Sequence, residues 1–221
     1  MRPIRRSITL AAAVSNGICQ SQTPGAGGNL TLNGSLVSGG IATLDSNGHA
    51  RPVLLTCAGN ETARTFTIYG TISDGGAVVS ESIAGVNATT TTTTVHFLTV
   101  TRVAVDAATA GAVTLGTNGV GSCRWIPLCR YVNPVNVGFA IEVAASSPVT
   151  WTFEYTFDDL QDRDLTPSSV RTYADSSFTS KSTNLNGNII APCTGVRLKI
   201  ESGTSAATLN VIQAGPGHDA S

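Results

Sequence analysis

The chain has 221 residues, with 13 Lys and Arg against 14 Asp and Glu, a net charge of −1, and a charged fraction of only 12%. That fraction is about half the usual one for a globular chain, whereas 41% hydrophobic residues are enough to build a core. The near-balance of charge argues against an electrostatic grip on nucleic acid and against a polybasic membrane contact, and no apolar run reaches the length of a membrane-spanning helix. Thr, Ser, Ala, Gly and Asn fill the surface instead. Such a surface has little charge to repel neighbours and suits a dense assembly.

Residues 1–28 read as an extended N-terminal arm that ends in Thr23-Pro24-Gly25-Ala26-Gly27-Gly28. Arg2, Arg5 and Arg6, the apolar run Ile8–Val14 and then Cys19 have the outline of a signal peptide. The run is short, however, and Asn16-Gly17-Ile18 before Cys19 is a poor lipid-attachment sequence. The reading adopted is an ordered basic arm that serves assembly and is held either by a neighbouring subunit or by its own second domain. Ile4, Ile8 and Leu10 fall at even positions, so the arm can lie as a strand with one apolar face. Arg2, Arg5, Arg6, Ile8 and Leu10 are therefore the candidate assembly residues, and strand addition is the expected mode. On this reading, removal of residues 2–22 leaves the remainder folded.

Short strands are predicted next, at Leu30–Leu32, Leu36–Val37, Ile41–Leu44, Val53–Cys57, Phe66–Ile72, Val78–Ile83, Val95–Val105 and Ala112–Leu115. Between them sit turn residues, including Asp74-Gly75-Gly76, where Gly supplies the positive φ of a tight hairpin. The threonine run Thr89–Thr94 reads as a strand edge, since Thr is β-branched. Thr117–Ser122 is the predicted linker; it resembles a phosphate loop but lacks the lysine that would reach the phosphates. A second set of strands follows around Trp125–Leu128, Val137–Val143, Val149–Phe157, Val196–Ile200 and Thr208–Ile212. In Val149–Phe157, five large apolar residues alternate with Thr, Thr, Glu and Thr, as in a strand with one buried and one wet face. Trp151, Phe153, Tyr155 and Phe157 are the expected core. Asp158–Asn188 has no strong period and reads as a long functional loop. The expected fold is all-β: two small sandwiches, immunoglobulin-like or jelly-roll-like, at 29–118 and 119–216, with the arm before them and a tail at 217–221.

Residues for chemistry are scarce. The five cysteines, Cys19, Cys57, Cys123, Cys129 and Cys193, form no C-x-x-C pair and read as buried thiols, although Cys123 and Cys129 could meet across a loop. Asp158, Asp159, Asp162 and Asp164 form an acidic cluster, but the glycine of a calcium loop is absent and Leu160, Gln161 and Arg163 interrupt the ligand pattern. His49, His96 and His218 stand apart, and no G-x-S-x-G elbow supports a nucleophile. No catalytic, cofactor-binding or metal residue is assigned, and the expectation is a non-enzyme.

The segments Gly28–Gly40 (GNLTLNGSLVSGG), Ala58–Thr71 (AGNETARTFTIYGT), Ala107–Ser122 (AATAGAVTLGTNGVGS) and Tyr155–Asp159 (YTFDD) resemble a family of tailed-bacteriophage virion structural proteins. The resemblance runs over most of residues 25–215. It implies a β-sandwich particle component without catalysis: a capsid decoration or cement protein that binds across major capsid subunits after expansion. Its partners would be the major capsid protein or other virion proteins and further copies of itself, with no nucleic acid and no membrane, and it would be located in the virion after assembly in the host cytoplasm. Two alternatives stand beside it. One is a neck, collar or tail-associated component. The other, of a different class, is a carbohydrate-binding or receptor-binding module, which an exposed shelf of Trp or Tyr would favour; Trp125, Trp151, Tyr131 and Tyr155 are the candidates.

Overall fold

The computed structural model describes residues 3–72, 76, 78–129, 136–144, 148–160 and 170–214. The chain is all-β: among the described residues the one helical element is a 3-10 turn at Ser176–Phe178. It divides into two units, one made of Met1–Leu10 with Ser122–Ser221 and the other of Ala11–Gly121.

The Ala11–Gly121 unit holds two sheets. The first has the order β2 (Cys19–Gln22), β11 (Val113–Thr117), β6 (Arg51–Cys57), β9 (Thr90–Phe97). The second runs β4 (Val37–Ser38), β5 (Ile41–Thr43), β10 (Thr99–Val105), β7 (Thr65–Thr71), β8 (Val79–Ala84), with β3 (Gly28–Asn29) also on β10. Their inner faces meet in a core that includes Ile18, Leu44, Leu55, Phe66, Ile68, Phe97, Val103 and Leu115.

Val95–Val105, expected as one strand, is two. The break falls at Leu98, whose N–H donates to Thr71 O at 2.7 Å and whose carbonyl accepts from Leu44 N at 3.1 Å. Phe97 and Leu98 are both buried, which a continuous strand with one wet face does not allow. The chain turns here from one sheet into the other. The threonine run does form an edge, with Thr90, Thr92 and Thr94 exposed along β9. Of the Asp74-Gly75-Gly76 hairpin, Asp74 and Gly75 lie outside the described residues; the flanking β7 and β8 pair antiparallel.

A buried ion pair organises one end of this unit. Arg51 and Asp45 are 3.5 Å apart and almost fully buried. Arg51 Nη1 donates to Ala11 O at 2.9 Å and Nη2 to Asn118 O, while Asp45 Oδ2 accepts from Ala11 N at 3.0 Å. Burial pulls the guanidinium below its usual pKa, and Asp45 opposes that shift. The pair thus serves backbone groups near both ends of the unit, which satisfies atoms that burial would otherwise leave unpaired.

The other unit also holds two sheets. One runs β1 (Ile4–Ile8), β18 (Ala207–Ala214), β14 (Asn136–Val143), β16 (Leu185–Ile189); the other runs β12 (Gly121–Ser122), β17 (Gly195–Ser202), β13 (Ile126–Pro127), with β15 (Thr150–Thr156) also paired to β17. Alternation delivers Val137, Phe139 and Ile141, Leu209 and Val211, Val196, Leu198 and Ile200 to one core. At its centre Phe139 from the first sheet stacks on Phe153 from the second, with centroids 3.9 Å apart and planes 9° from parallel.

Three expectations need correction here. Phe157 is not core: β15 ends at Thr156, and Phe157 is 44% exposed. The polar side of β15 is not wet either, since Thr152, Glu154 and Thr156 are all buried. The segment from Tyr173 to Lys181 runs along the edge of β15. Trp151 exchanges backbone hydrogen bonds with Lys181, and Tyr155 does so with Tyr173. On this face the polar groups pair among themselves. Arg197 Nε sits 2.6 Å from Glu154 Oε2, Thr152 Oγ1 donates to Glu201 Oε1 at 2.8 Å, and Ser180 Oγ donates to Glu201 Oε2 at 2.6 Å.

Third, of the two holders expected for the arm, the structure shows its own chain and not a neighbour. β1 pairs antiparallel with β18 from Ile4–Val211 to Ile8–Ala207, whereas β2 pairs with β11. Ile8 and Leu10 are buried in one core, and Ile18 and Cys19 in the other. The sequence has the right pattern for a strand, but alternation identifies a face without identifying what covers it.

Candidate interaction surface

β1 places the proposed assembly residues in two groups. Ile8 and Leu10 are spent inside their own unit, at 0% and 3% exposure, so neither is available to a neighbour. Arg5 and Arg6 are exposed. Arg5 stands opposite Asn210, on the outer face, and Arg6 stands opposite buried Leu209, on the inner side of an edge strand. An inward charge at a sheet edge opposes further strand pairing. Strand addition at β1, expected above, is therefore disfavoured. Arg2 lies outside the described residues.

The same sheet carries a shallow trough of about 570 Å³. Its form follows from register. Gly138 of β14 lies between Ile212 and Asn188, and Ala140 between Asn210 and Asn186. The central strand thus presents almost no side chain, while its neighbours raise two rims, amide on one side and mixed on the other. Pro3 closes one end. Among the described residues no charged one lines the trough, and Ile212 is 49% exposed. A bare backbone floor permits close approach by another surface, and carboxamides can both donate and accept to backbone groups.

Sequence reasoning missed β16 and with it half of this trough. Leu-Asn-Gly-Asn-Ile does alternate, but Gly occupies the middle inward position and Asn is a poor strand former. Gly187 is required there: a Cβ would stand 2.7 Å from Phe178 Cζ and 3.0 Å from Phe139 Cζ.

The other singled-out residues take structural places. Asp158 Oδ2 accepts from Arg171 N at 2.5 Å; Asp162 and Asp164 lie outside the described residues. Among the described residues no three His, Cys, Asp or Glu side chains gather closely enough to share an ion. All five cysteines are free thiols. Burial pushes the Cys19 thiol up to about 12 and raises Cys57, Cys123 and Cys193 as well, so these four are poor nucleophiles. His49 is lowered by burial, against the pull of Asp45. Trp151 is core and its indole N–H donates to Thr183 O at 3.2 Å. Trp125 carries the Arg197 guanidinium 4.5 Å from its ring centre. Tyr131 lies outside the described residues.

Two of the segments that carry the resemblance meet in space. Glu61, fully buried, accepts from Ala110 N at 3.1 Å and Gly111 N at 2.7 Å, and Arg64 Nε donates to Ala108 O at 2.6 Å. Gly59 and Gly111 sit so close that a Cβ on Gly111 would lie 2.6 Å from Gly59 N. The A-G-N-E-T-A-R and A-A-T-A-G-A strings are the two halves of one turn cluster, and their residue types are explained by packing and backbone satisfaction. No family model, curated protein or solved structure matches this chain.

Proposed function

We propose that this protein is a non-enzymatic structural component of a tailed-phage virion, a decoration or cement protein that binds across neighbouring major capsid subunits. The observation that supports the reading most is the trough on the outer face of the β1-β18-β14-β16 sheet, whose described lining is uncharged although Arg5 and Glu142 stand elsewhere on that face. Small residues floor it, asparagines and an exposed isoleucine rim it, and it carries no charge whose desolvation would oppose contact. Such a face gives weak single contacts that become useful when many copies bind one shell. The segment resemblance over residues 25–215 points the same way.

The test is copy number in purified particles, by quantitative mass analysis, together with Ala140→Lys. Copies on the order of hundreds support a capsid position, whereas about a dozen or fewer move the protein to the neck or tail. Ala140→Lys places a charge on the trough floor without touching the core, so it should fold normally and lose particle occupancy. Absence of the wild-type protein from particles overturns the reading, and undiminished occupancy of the variant removes the trough from it.

A further inference from the structure

Aromatic residues are only 5% of this chain, yet three of their rings gather on one patch at the surface, of which only Tyr155 packs against the core. Phe157 and Tyr173 are 44% and 40% exposed, and Tyr155 beside them is half-buried. The Tyr155 and Tyr173 rings lie 5.9 Å apart and 24° from parallel. Phe157 stands across them, 5.6 Å from Tyr155 at 87° and 5.3 Å from Tyr173 at 63°. The three rings therefore form a corner and not a flat shelf. Reciprocal backbone hydrogen bonds of 2.9 and 2.8 Å between Tyr155 and Tyr173 hold two of them in place. The stacking of the two tyrosines helps to dock that segment on β15, but docking does not require Phe157.

The border of the corner is polar and fixed. Asp158 follows Phe157; its N–H donates to Thr156 Oγ1 at 3.1 Å and its carboxylate accepts from Arg171 N at 2.5 Å. Thr194 Oγ1 donates to the carbonyls of both Thr156 and Asp158, at 3.1 and 2.5 Å. Rings, phenol hydroxyls and a carboxylate are thus presented on a backbone that is already tied down, which lowers the ordering entropy of binding.

We propose that the Tyr155–Phe157–Tyr173 corner is a saccharide-binding site. A pyranose with equatorial hydroxyls has an apolar C–H face and a hydroxyl rim. The C–H face stacks on an aromatic ring, and the rim hydrogen-bonds to the tyrosine O–H groups and to Asp158. A protein partner is the competing occupant, but the core of a protein contact mixes aliphatic with aromatic side chains, and the groups tied to this corner are threonine, aspartate and backbone. The site lies on the sheet of β15 and not on the sheet of the trough, so it stands independently of the assembly reading.

The test uses cellotetraose, maltotetraose and the tetramer of N-acetylglucosamine as probes, with saturation-transfer NMR and calorimetry on the full chain. Saturation is expected to pass from aromatic protons to the ring C–H protons of at least one probe. Tyr173→Ala and Phe157→Ala should each weaken that probe about tenfold or more with little change in the unfolding midpoint, and Tyr173→Trp should retain it. The proposal is overturned if no probe receives saturation from the wild type, or if binding survives the double alanine variant. If the alanine variants bind no less saccharide than wild type but drop out of particles, the corner is a protein contact instead.

Discussion

Phe153→Ala tests the core of the unit that contains Ser122–Ser221. The ring is fully buried and lies flat on Phe139 at 3.9 Å, at the contact between the two sheets. Emptying a buried phenylalanine site costs about 3–5 kcal/mol, and a lost ring stack contributes roughly 0.5–1.5 kcal/mol of such a figure. We therefore expect about 4 kcal/mol. With a urea slope near ~1.5 kcal/mol per M, the midpoint should fall by about 2.5 M. The assay is selective, because both tryptophans, Trp125 and Trp151, lie in this unit. Tryptophan fluorescence therefore follows its unfolding and leaves the Ala11–Gly121 unit silent. Phe157→Ala is the internal control, since that ring is 44% exposed, and it should cost less than about 1 kcal/mol. If Phe153→Ala changes stability by under about 1 kcal/mol, or if the two variants are equivalent, the assigned register of β15 against β17 is wrong.

Removing residues 2–8 deletes β1 and Ile8 from the core, so Trp fluorescence should report a destabilised unit, contrary to the expectation that the remainder stays folded without the arm; an unchanged urea midpoint refutes the pairing with β18. Glu81 caps the β9 edge by accepting from Thr94 N at 2.9 Å and Val95 N at 2.8 Å, so Glu81→Ala should cost about 1–2 kcal/mol and raise self-association in light scattering, while a monodisperse variant of wild-type stability counts against the cap. Cys129 is the exposed thiol of the five, so a disulfide-exchange reagent at pH 8 should titrate one thiol per native chain quickly and the rest only on unfolding. The Cys19 thiol moves from 9.0 to about 12 on folding, so the unfolded chain releases that proton first, and this contribution to stability should fall as pH rises above about 9 in alkaline denaturation.

The strands that the sequence displays best are those that alternate without interruption. Val137–Val143, Trp151–Thr156, Val196–Ile200 and Thr208–Val211 all enter the core as their apolar periods require. What stayed hidden depends on what a period cannot carry. Cys19–Gln22 and Leu185–Ile189 are strands of polar, Gly and Asn residues, formed because a neighbouring strand offers backbone partners and not because their own side chains favour extension. Phe157 continues the alternation one step beyond the strand, and nothing local marks where its covering layer ends. The polar face of β15 reads as wet because its partners come from elsewhere in the chain: Glu201 and Arg197 on β17, and Ser180 from the aperiodic stretch that bridges the edge of β15. The trough could not be read at all before register was known. Gly138 and Ala140 are unremarkable in the sequence and acquire a shape only when Ile212, Asn210, Asn188 and Asn186 stand on either side.

The placement of the few charges explains why such faces exist. Asp45 and Arg51 are sealed together, Glu61 and Glu81 serve backbone N–H groups, and Glu154, Arg197, Lys199 and Glu201 form a chain of contacts between 2.6 and 3.9 Å on β15 and β17. Arg102 lies 3.6 Å over the Tyr69 ring. Each of these charges does internal work: it satisfies a buried partner or closes an edge, and it is withdrawn from the field that keeps separate molecules apart. Apart from exposed charges such as Arg5, Arg6, Asp106 and Glu142, much of the remaining surface is hydroxyl, amide and small apolar groups, which lose water at less cost than charges do. With a net charge of only −1, the chain alone has little colloidal protection. On the proposed shell, the same property would let copies sit side by side without mutual repulsion, and a modest contact at each copy would then be enough.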